Sequence, residues 1–325
     1  MRSEVNPMRS IPILLDGDPG HDDAIAWMLA KASPRLEIRA VTSVSGNQTI
    51  EKTTYNALRV MALLGIDAPM AKGRPGPLVS EPMVAPSVHG ETGLDGPALP
   101  EPLRRPEPIS AVEQMARVLR ASGEPVTLVS TGPLTNVAAL LLSHPELKSR
   151  IGRISMMGGG IRHGNWTPAA EFNILVDPEA AELVFRSGIP VVMCGLDVTH
   201  STYITAREVE KLAALGSVQA RLAAYFMGSG IEENARKFRT GGAPLHDPCA
   251  MMYAIDRSLF ASKPCWIGVE RHGKVTRGKT VTDAYSDAKQ TANARLVTGS
   301  DREGFICRMM ELFAGYGSEM PDEKF

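Results

Sequence analysis

The segment Asp16-Gly17-Asp18-Pro19-Gly20-His21-Asp22-Asp23 places four carboxylates within eight residues, directly after the apolar run Ile11-Pro12-Ile13-Leu14-Leu15. Carboxylates this close repel and raise one another's pKa. A hard cation relieves that repulsion, and oxygen ligands suit calcium or magnesium. An Asp-rich helix cap and first turn explain one or two of these residues, not four. The spacing is not that of an EF-hand, because Gly20 stands where the fifth position needs an oxygen ligand.

Three further clusters carry polar groups of the right kind. His246-Asp247-Pro248 opens an apolar helical stretch, where Asp247 reads equally as a cap or as a ligand. Thr131-Gly132-Pro133-Leu134-Thr135-Asn136 sets Pro133 at a first helical position and leaves the Thr131 carbonyl at a strand end, within reach of a cation. Glu171-Phe172-Asn173, preceded by Asn165-Trp166, offers groups that bind hydroxyl-rich ligands, although Asn in a loop is often only turn chemistry.

These clusters need elements to bring them together. Short apolar runs at Ile13–Asp16, Ile38–Val44, Val126–Ser130, Ile154–Met157 and Val191–Cys194 read as buried strands. Helical patterns lie between them, at Asp22–Lys31, Glu51–Leu64, Ala111–Ala121, Leu134–Leu142 and Pro178–Arg186. Apolar strands alternating with helices imply an α/β fold with a mostly parallel, Rossmann-like central sheet covered on both faces. Ligands in such sheets sit beyond the C-terminal strand ends, and each polar cluster follows one of those ends.

The second half reads as more helical: Thr205–Leu215, one long helix over Val218–Arg236, and His246–Ile255. Strand character returns at Cys265–Glu270 and Ala294–Val297, and Ser300 with Glu303 forms a capping box for a last helix through Leu312. One loop and one helix end stand out. Gly73–Pro108 is long, rich in Pro and Gly, and contains His89-Gly90-Glu91-Thr92-Gly93. Phe226–Thr240 ends in Arg239-Thr240-Gly241-Gly242, which reads either as a segment that closes on a substrate or as an ordinary exposed helix end.

The balance of 35 Lys+Arg against 36 Asp+Glu in 325 residues argues against holding nucleic acid or membrane by bulk charge. With 43% hydrophobic residues there is enough apolar material for a packed core. Cys194, Cys249, Cys265 and Cys307 fit neither a zinc site nor a disulfide scaffold, and suit reduced thiols in the cytoplasm. No apolar stretch approaches the roughly 18 residues of a membrane span. The N-terminal run is too short for a signal peptide. Residues 1–10 read as a flexible extension, and 11–325 as a single domain.

Taken as an ordered set, the motifs resemble the nucleoside hydrolases, the inosine–uridine-preferring N-ribohydrolases. The resemblance rests on the Asp16–Asp23 opening, Val44-Ser45-Gly46-Asn47, the His89-Gly90 loop, Thr131–Asn136, Met157-Gly158-Gly159, Glu171-Phe172-Asn173 and His246-Asp247-Pro248. It spans nearly the whole chain. It implies hydrolysis of the N-glycosidic bond of ribonucleosides, with inversion and an oxocarbenium-like transition state. It also implies one Ca²⁺ per subunit, held by Asp18, Asp23, Asp247 and the Thr131 carbonyl. Asp18 is the implied general base. Asp22, Asn47 and Asn173 match residues that hold the ribose 2′- and 3′-hydroxyls, Asn165 and Glu171 those that hold the 5′-hydroxyl, and Met157 one that lines the sugar. His246 matches a residue beside the base and is the candidate acid for the leaving group. His89 is expected at the pocket mouth, and Trp166 and Tyr225 beside the base. The family is usually dimeric or tetrameric. Two other readings stay open: a magnesium-dependent phosphatase of haloacid-dehalogenase type, which shares Asp-x-Asp after a strand, and a non-catalytic calcium- or ribonucleoside-binding protein.

Overall fold

A computed structural model of the chain describes residues 10–283 and 290–317, apart from the side chains at 233, 234, 237 and 238. The expected N-terminal extension lies outside the described residues, except for Ser10. Among the described residues there are eleven strands: β1 (Ile11–Gly17), β2 (Leu36–Ser43), β3 (Met70–Ala71), β4 (Val126–Ser130), β5 (Ile151–Met157), β6 (Val191–Cys194), β7 (Tyr203–Ile204), β8 (Ala243–Pro244), β9 (Phe260–Val269), β10 (Thr280–Asp283) and β11 (Ala294–Ser300). Nine of them form one sheet in the order β10-β9-β11-β6-β5-β4-β1-β2-β3. It is parallel except where β9 pairs with β10 and β11.

The apolar strand runs are explained by burial on both faces. Along β1, Ile13 and Leu15 enter one core and Leu14 the other. Along β4, Leu128 and Val129 divide in the same way, as do Met156 and Met157 of β5. Strand alternation therefore feeds two apolar layers at once, and helices cover both.

Strand order fixes where the site can be. From β1 the chain moves outward through β2 and β3, then returns to place β4 on the other side of β1 and continues through β5 and β6. The order reverses between β1 and β4, which opens a crevice at their C-terminal ends. Asp16–Asp23 follows β1, and Thr131 follows β4.

Helices His21–Ala32 and His246–Ile255 pack against each other within one core. Both carry Asp in the first turn, Asp22 and Asp23 in one and Asp247 in the other. Two helix N-termini thus present their positive dipole ends and their acidic residues together.

The structure corrects three element expectations. The single helix over Val218–Arg236 is two, Val218–Gly228 and Ile231–Phe238. The break falls at Ser229-Gly230, where Gly230 takes φ of 71°, a left-handed value that glycine adopts cheaply. The last helix, Arg302–Ala314, is capped by Asp301, whose carboxylate accepts from the Gly304 N–H, and not by Ser300. Ser300 ends β11 and its hydroxyl pairs with that of Thr202. The edge strand β10 and the two-residue strands were not expected, because such short runs carry no periodicity.

Candidate active site and metal centre

Beyond the crevice lies a cavity of about 730 Å³. The residues lining it include Asp22, Asn47, His89, Thr131, Met157, Asn165, Trp166, Glu171, Asn173, His246 and Asp247. Seven separate segments of the chain therefore converge on one cavity.

Asp18 and Asp23 lie beneath this surface, 1% and 0% exposed. The Asp18 carboxylate accepts from the Asn47 N–H at 2.7 Å, and the Asn47 amide donates to the Asp18 carbonyl at 3.0 Å. Asp23 accepts from the Thr131 hydroxyl at 2.5 Å and from the Gly20 N–H at 3.1 Å, which also caps its own helix. Carboxylate oxygens of Asp22, Asp23 and Asp247 lie within 4.8 Å of one another. Asp22, expected at the ribose, thus also belongs to the carboxylate group.

Burial dominates the electrostatics. It pushes Asp18 and Asp247 well above the ordinary carboxylate range, Asp23 to about 6, and Asp22 upward, and mutual repulsion among the four adds to the rise at Asp18, Asp23 and Asp247. Among the described residues no Lys or Arg lines the cavity, and the Asp22 Oδ1 is buried without a hydrogen-bond partner. Buried like charges without a counter-ion are costly. The group fits a hard divalent cation, with carboxylate oxygens and a backbone carbonyl as donors.

Asp16 behaves differently from its neighbours. Its Oδ1 accepts from Thr42 at 2.7 Å and from Asn136 at 2.8 Å, and Asn136 also donates to the Ser43 carbonyl at 2.7 Å. The first carboxylate of the motif therefore ties the ends of β1 and β2 together. It is not among the residues that line the cavity.

Asn173 donates to the Thr131 carbonyl at 2.8 Å and to the Met157 carbonyl at 3.3 Å, joining the ends of β4 and β5. Glu171 caps the short helix Phe172–Val176, accepting from Asn173 and Ile174 N–H groups and from that of Gly159. Desolvation raises its pKa despite those bonds. The Asn165 side chain accepts from the Phe172 N–H at 3.0 Å. The His246 Nδ1 pairs with the Thr199 hydroxyl at 2.9 Å. His89 is held near Gly20, where an added Cβ would come within 2.6 Å of its Nδ1, and burial lowers its pKa to about 4.

Tyr225 is not brought to the cavity. It is 49% exposed and packs beside Gly96, while its neighbour Phe226 lines the pocket. One residue on a helix is a rotation of roughly 100°, and composition alone does not choose between them. His21 opens the helix His21–Ala32 and has a second part. It lines the cavity, its Nε2 bonds the Asp95 carbonyl at 2.7 Å, and its ring packs on Phe226 at 4.9 Å. Trp166 packs on Phe172, ring centroids 4.8 Å apart.

Comparison with known proteins agrees with this geometry. The family model for inosine-uridine preferring nucleoside hydrolase matches residues 13–307. The pyrimidine-specific ribonucleoside hydrolase RihA of Enterobacter sp. (strain 638) is 53% identical over 309 residues, covering 94% of this chain and 99% of that one. RihA of Escherichia coli (strain K12) is 54% identical over 299 residues, covering 91% and 96%. Among solved structures, a purine-preferring ribonucleoside hydrolase from Gardnerella vaginalis superposes with a TM-score of 0.87 at 33% identity, covering 94% of this chain and 99% of that one. These matches leave the phosphatase reading without support, and the chain belongs to the inosine-uridine preferring nucleoside hydrolase family and is a ribonucleoside hydrolase.

Proposed function

We propose that this enzyme prefers pyrimidine ribonucleosides, with calcium as its metal. The observation that carries the metal reading is the buried, uncompensated group Asp18, Asp22, Asp23 and Asp247 at the cavity floor. The base preference is supported by relatives at 53–54% identity that are named pyrimidine-specific.

Asp18, Asp23, Asp247 and the Thr131 carbonyl would hold the ion. Bound there, calcium would neutralise the carboxylates and would supply the Lewis acidity that makes water easier to deprotonate. Asp18 accepts a proton from the attacking water, being held in place by Asn47. Attack at C1′ from the face opposite the base inverts that centre. Asp22, Asn47 and Asn173 hold the 2′- and 3′-hydroxyls, Asn165 and Glu171 the 5′-hydroxyl, and Met157 lines the sugar. Positive charge that develops on the ribose meets these acidic groups. His246, fixed by Thr199, protonates the leaving base. His89 and Trp166 border the mouth. Tyr225 has no part in this reading.

We also infer a homodimer or homotetramer, on family grounds, and the cytoplasm, supported by four cysteines that are all free. No described helix is long and apolar enough to cross a membrane.

Base release from uridine, cytidine, inosine and adenosine, with calcium and after chelation, tests the proposal. Uridine and cytidine should be cleaved fastest, and only with the metal present. Equal kcat/KM on inosine removes the base preference, and full activity after exhaustive chelation removes the metal.

A further inference from the structure

A second concavity lies at the opposite end of the sheet, beside the N-terminal ends of β5, β6 and β11, with a volume of about 1140 Å³. Four arginines line it, Arg153, Arg186, Arg257 and Arg295, and among the described residues no Asp or Glu does. The chain as a whole carries a net charge of -1, so this local excess is not a reflection of composition.

The guanidinium groups are poorly neutralised. Only Arg186 makes an ion pair among the described residues, with Glu182 at 3.6 Å on an exposed helix end. Arg153 is half-buried, and its guanidinium sits 6.0 Å from the centroid of the Tyr253 ring. Among the described residues Arg295 reaches the Ser262 hydroxyl and carbonyl, at 3.3 and 3.5 Å. Helix C-termini attract cations, and that accounts for Arg186 and Arg257, which follow helices Pro178–Phe185 and His246–Ile255. It does not account for Arg153 and Arg295, which lie on β5 and β11, because sheets have only small net dipoles. The half-buried Trp266 completes the lining, and its indole lies over Gly268, where an added Cβ would come within 2.4 Å of the ring.

We propose that this groove is a binding site for a phosphate-bearing small molecule, separate from the catalytic cavity. Guanidinium groups match phosphate oxygens in geometry and charge, and several around one groove recognise an oxyanion far better than isolated surface cations. The flat indole of Trp266 offers a platform to a planar group carried on the phosphate.

Calorimetric titration of the full-length protein at low ionic strength, with inorganic phosphate, ribose 5-phosphate and uridine 5′-monophosphate, tests this. The unsubstituted protein should bind. Arg153→Gln and Arg257→Gln should each weaken binding about tenfold, the scale of a lost charge-assisted hydrogen bond. Uridine hydrolysis should be unchanged in both, since neither residue reaches the catalytic cavity. Tighter binding of the nucleotide, lost in Trp266→Ala, identifies a nucleotide as the source of the phosphate; equal affinities identify the phosphate group alone. Absence of binding overturns the proposal. So does binding that raises KM for uridine and survives in the arginine variants, because the anion is then in the catalytic cavity. A change in sedimentation of the variants without a change in anion affinity also overturns it, and assigns the groove to contact between copies.

Discussion

Asn47 holds Asp18 from two sides: its backbone N–H donates to the Asp18 carboxylate at 2.7 Å, and its amide donates to the Asp18 carbonyl at 3.0 Å. Two glycines complete the clamp. A Cβ at Gly46 would lie 2.1 Å from Asp18 Oδ2, and one at Gly132 would lie 2.5 Å from Oδ1. The carboxylate is therefore fixed by contacts that owe nothing to substrate. Such preorganisation is what a general base needs, because small misplacements are costly.

Asp18→Asn keeps the shape of the side chain and removes its capacity to take a proton. On the proposed mechanism kcat for uridine should fall by about a hundredfold or more, the usual scale of acid–base catalysis. The metal-free variant should melt no lower than the parent, because one of several repelling buried carboxylates is gone. Near-normal kcat would remove Asp18 from the role of base.

Gly46→Ala tests the clamp without touching a reactive group. Gly46 has no left-handed φ, so space alone decides the outcome. The methyl group must displace Asp18, and kcat should fall about a hundredfold, the cost of roughly 1 Å of misplacement. Gly65→Ala is the contrast. Gly65 has φ of 56° and nothing within 4 Å of an added Cβ. That variant should lose about 1–2 kcal/mol of stability with kcat unchanged. If Gly46→Ala retains full kcat, the clamp is not needed.

The carboxylate group also predicts how stability follows pH. Burial raises Asp16 and Asp23 to about 6 in the folded chain, whereas an unfolded Asp titrates near about 3.9. A folded pKa above the unfolded one contributes stability that is fully present below about 4 and is lost as pH rises through about 6. Metal-free protein should therefore melt lower at pH 7.5 than at pH 5. Calcium should raise the midpoint more at pH 7.5, where the carboxylates are ionised and able to bind it. Scanning calorimetry at both pH values, with chelator and with calcium, checks both statements. A chelated protein whose midpoint does not change with pH contradicts the electrostatic account.

Much of this was legible because chemistry and topology coincide. Ile13, Leu14 and Leu15 announce a strand buried on both faces, so Asp16–Asp23 had to emerge at a strand end. The polar clusters in turn mark where neighbouring strands stop. Asp16 was less legible. It shares the motif with Asp18 yet turns towards Thr42 and Asn136, and local sequence does not say which way a strand-end side chain points. Tyr225 and Phe226 show the same limit on a helix. The break at Ser229-Gly230 was masked by an apolar pattern that continues in phase across it. Ser300 and Asp301 are both good cap residues, and the choice between them depended on where β11 ended.

The ribose grip predicts strong discrimination at the sugar. Asp22, Asn47 and Asn173 converge where the 2′- and 3′-hydroxyls are proposed to bind. A 2′-deoxynucleoside leaves buried charged and polar groups unpaired, which costs more than an ordinary neutral hydrogen bond. Because the site is built to bond a hydroxyl, uridine should exceed deoxyuridine by about 10⁴-fold in kcat/KM. Equal rates on the two substrates would dismantle the proposed ribose site.

His246 is tested by changing the leaving group. Its Nδ1 is held by the Thr199 hydroxyl at 2.9 Å, and the next residue, Asp247, belongs to the carboxylate group. The imidazole is thereby anchored through its backbone and through one ring nitrogen. A natural base leaves poorly as an anion, whereas a nitrophenolate leaves without a proton. His246→Ala should therefore slow uridine hydrolysis by about two to four orders of magnitude in kcat, the span of general acid catalysis. It should slow p-nitrophenyl riboside far less, because Asp18 and the ribose grip are intact. Both substrates are measured on one preparation, so structural damage would appear in both rates. A comparable loss on the two would make His246 a support for the site, and no loss on either would mean that another group or solvent protonates the base.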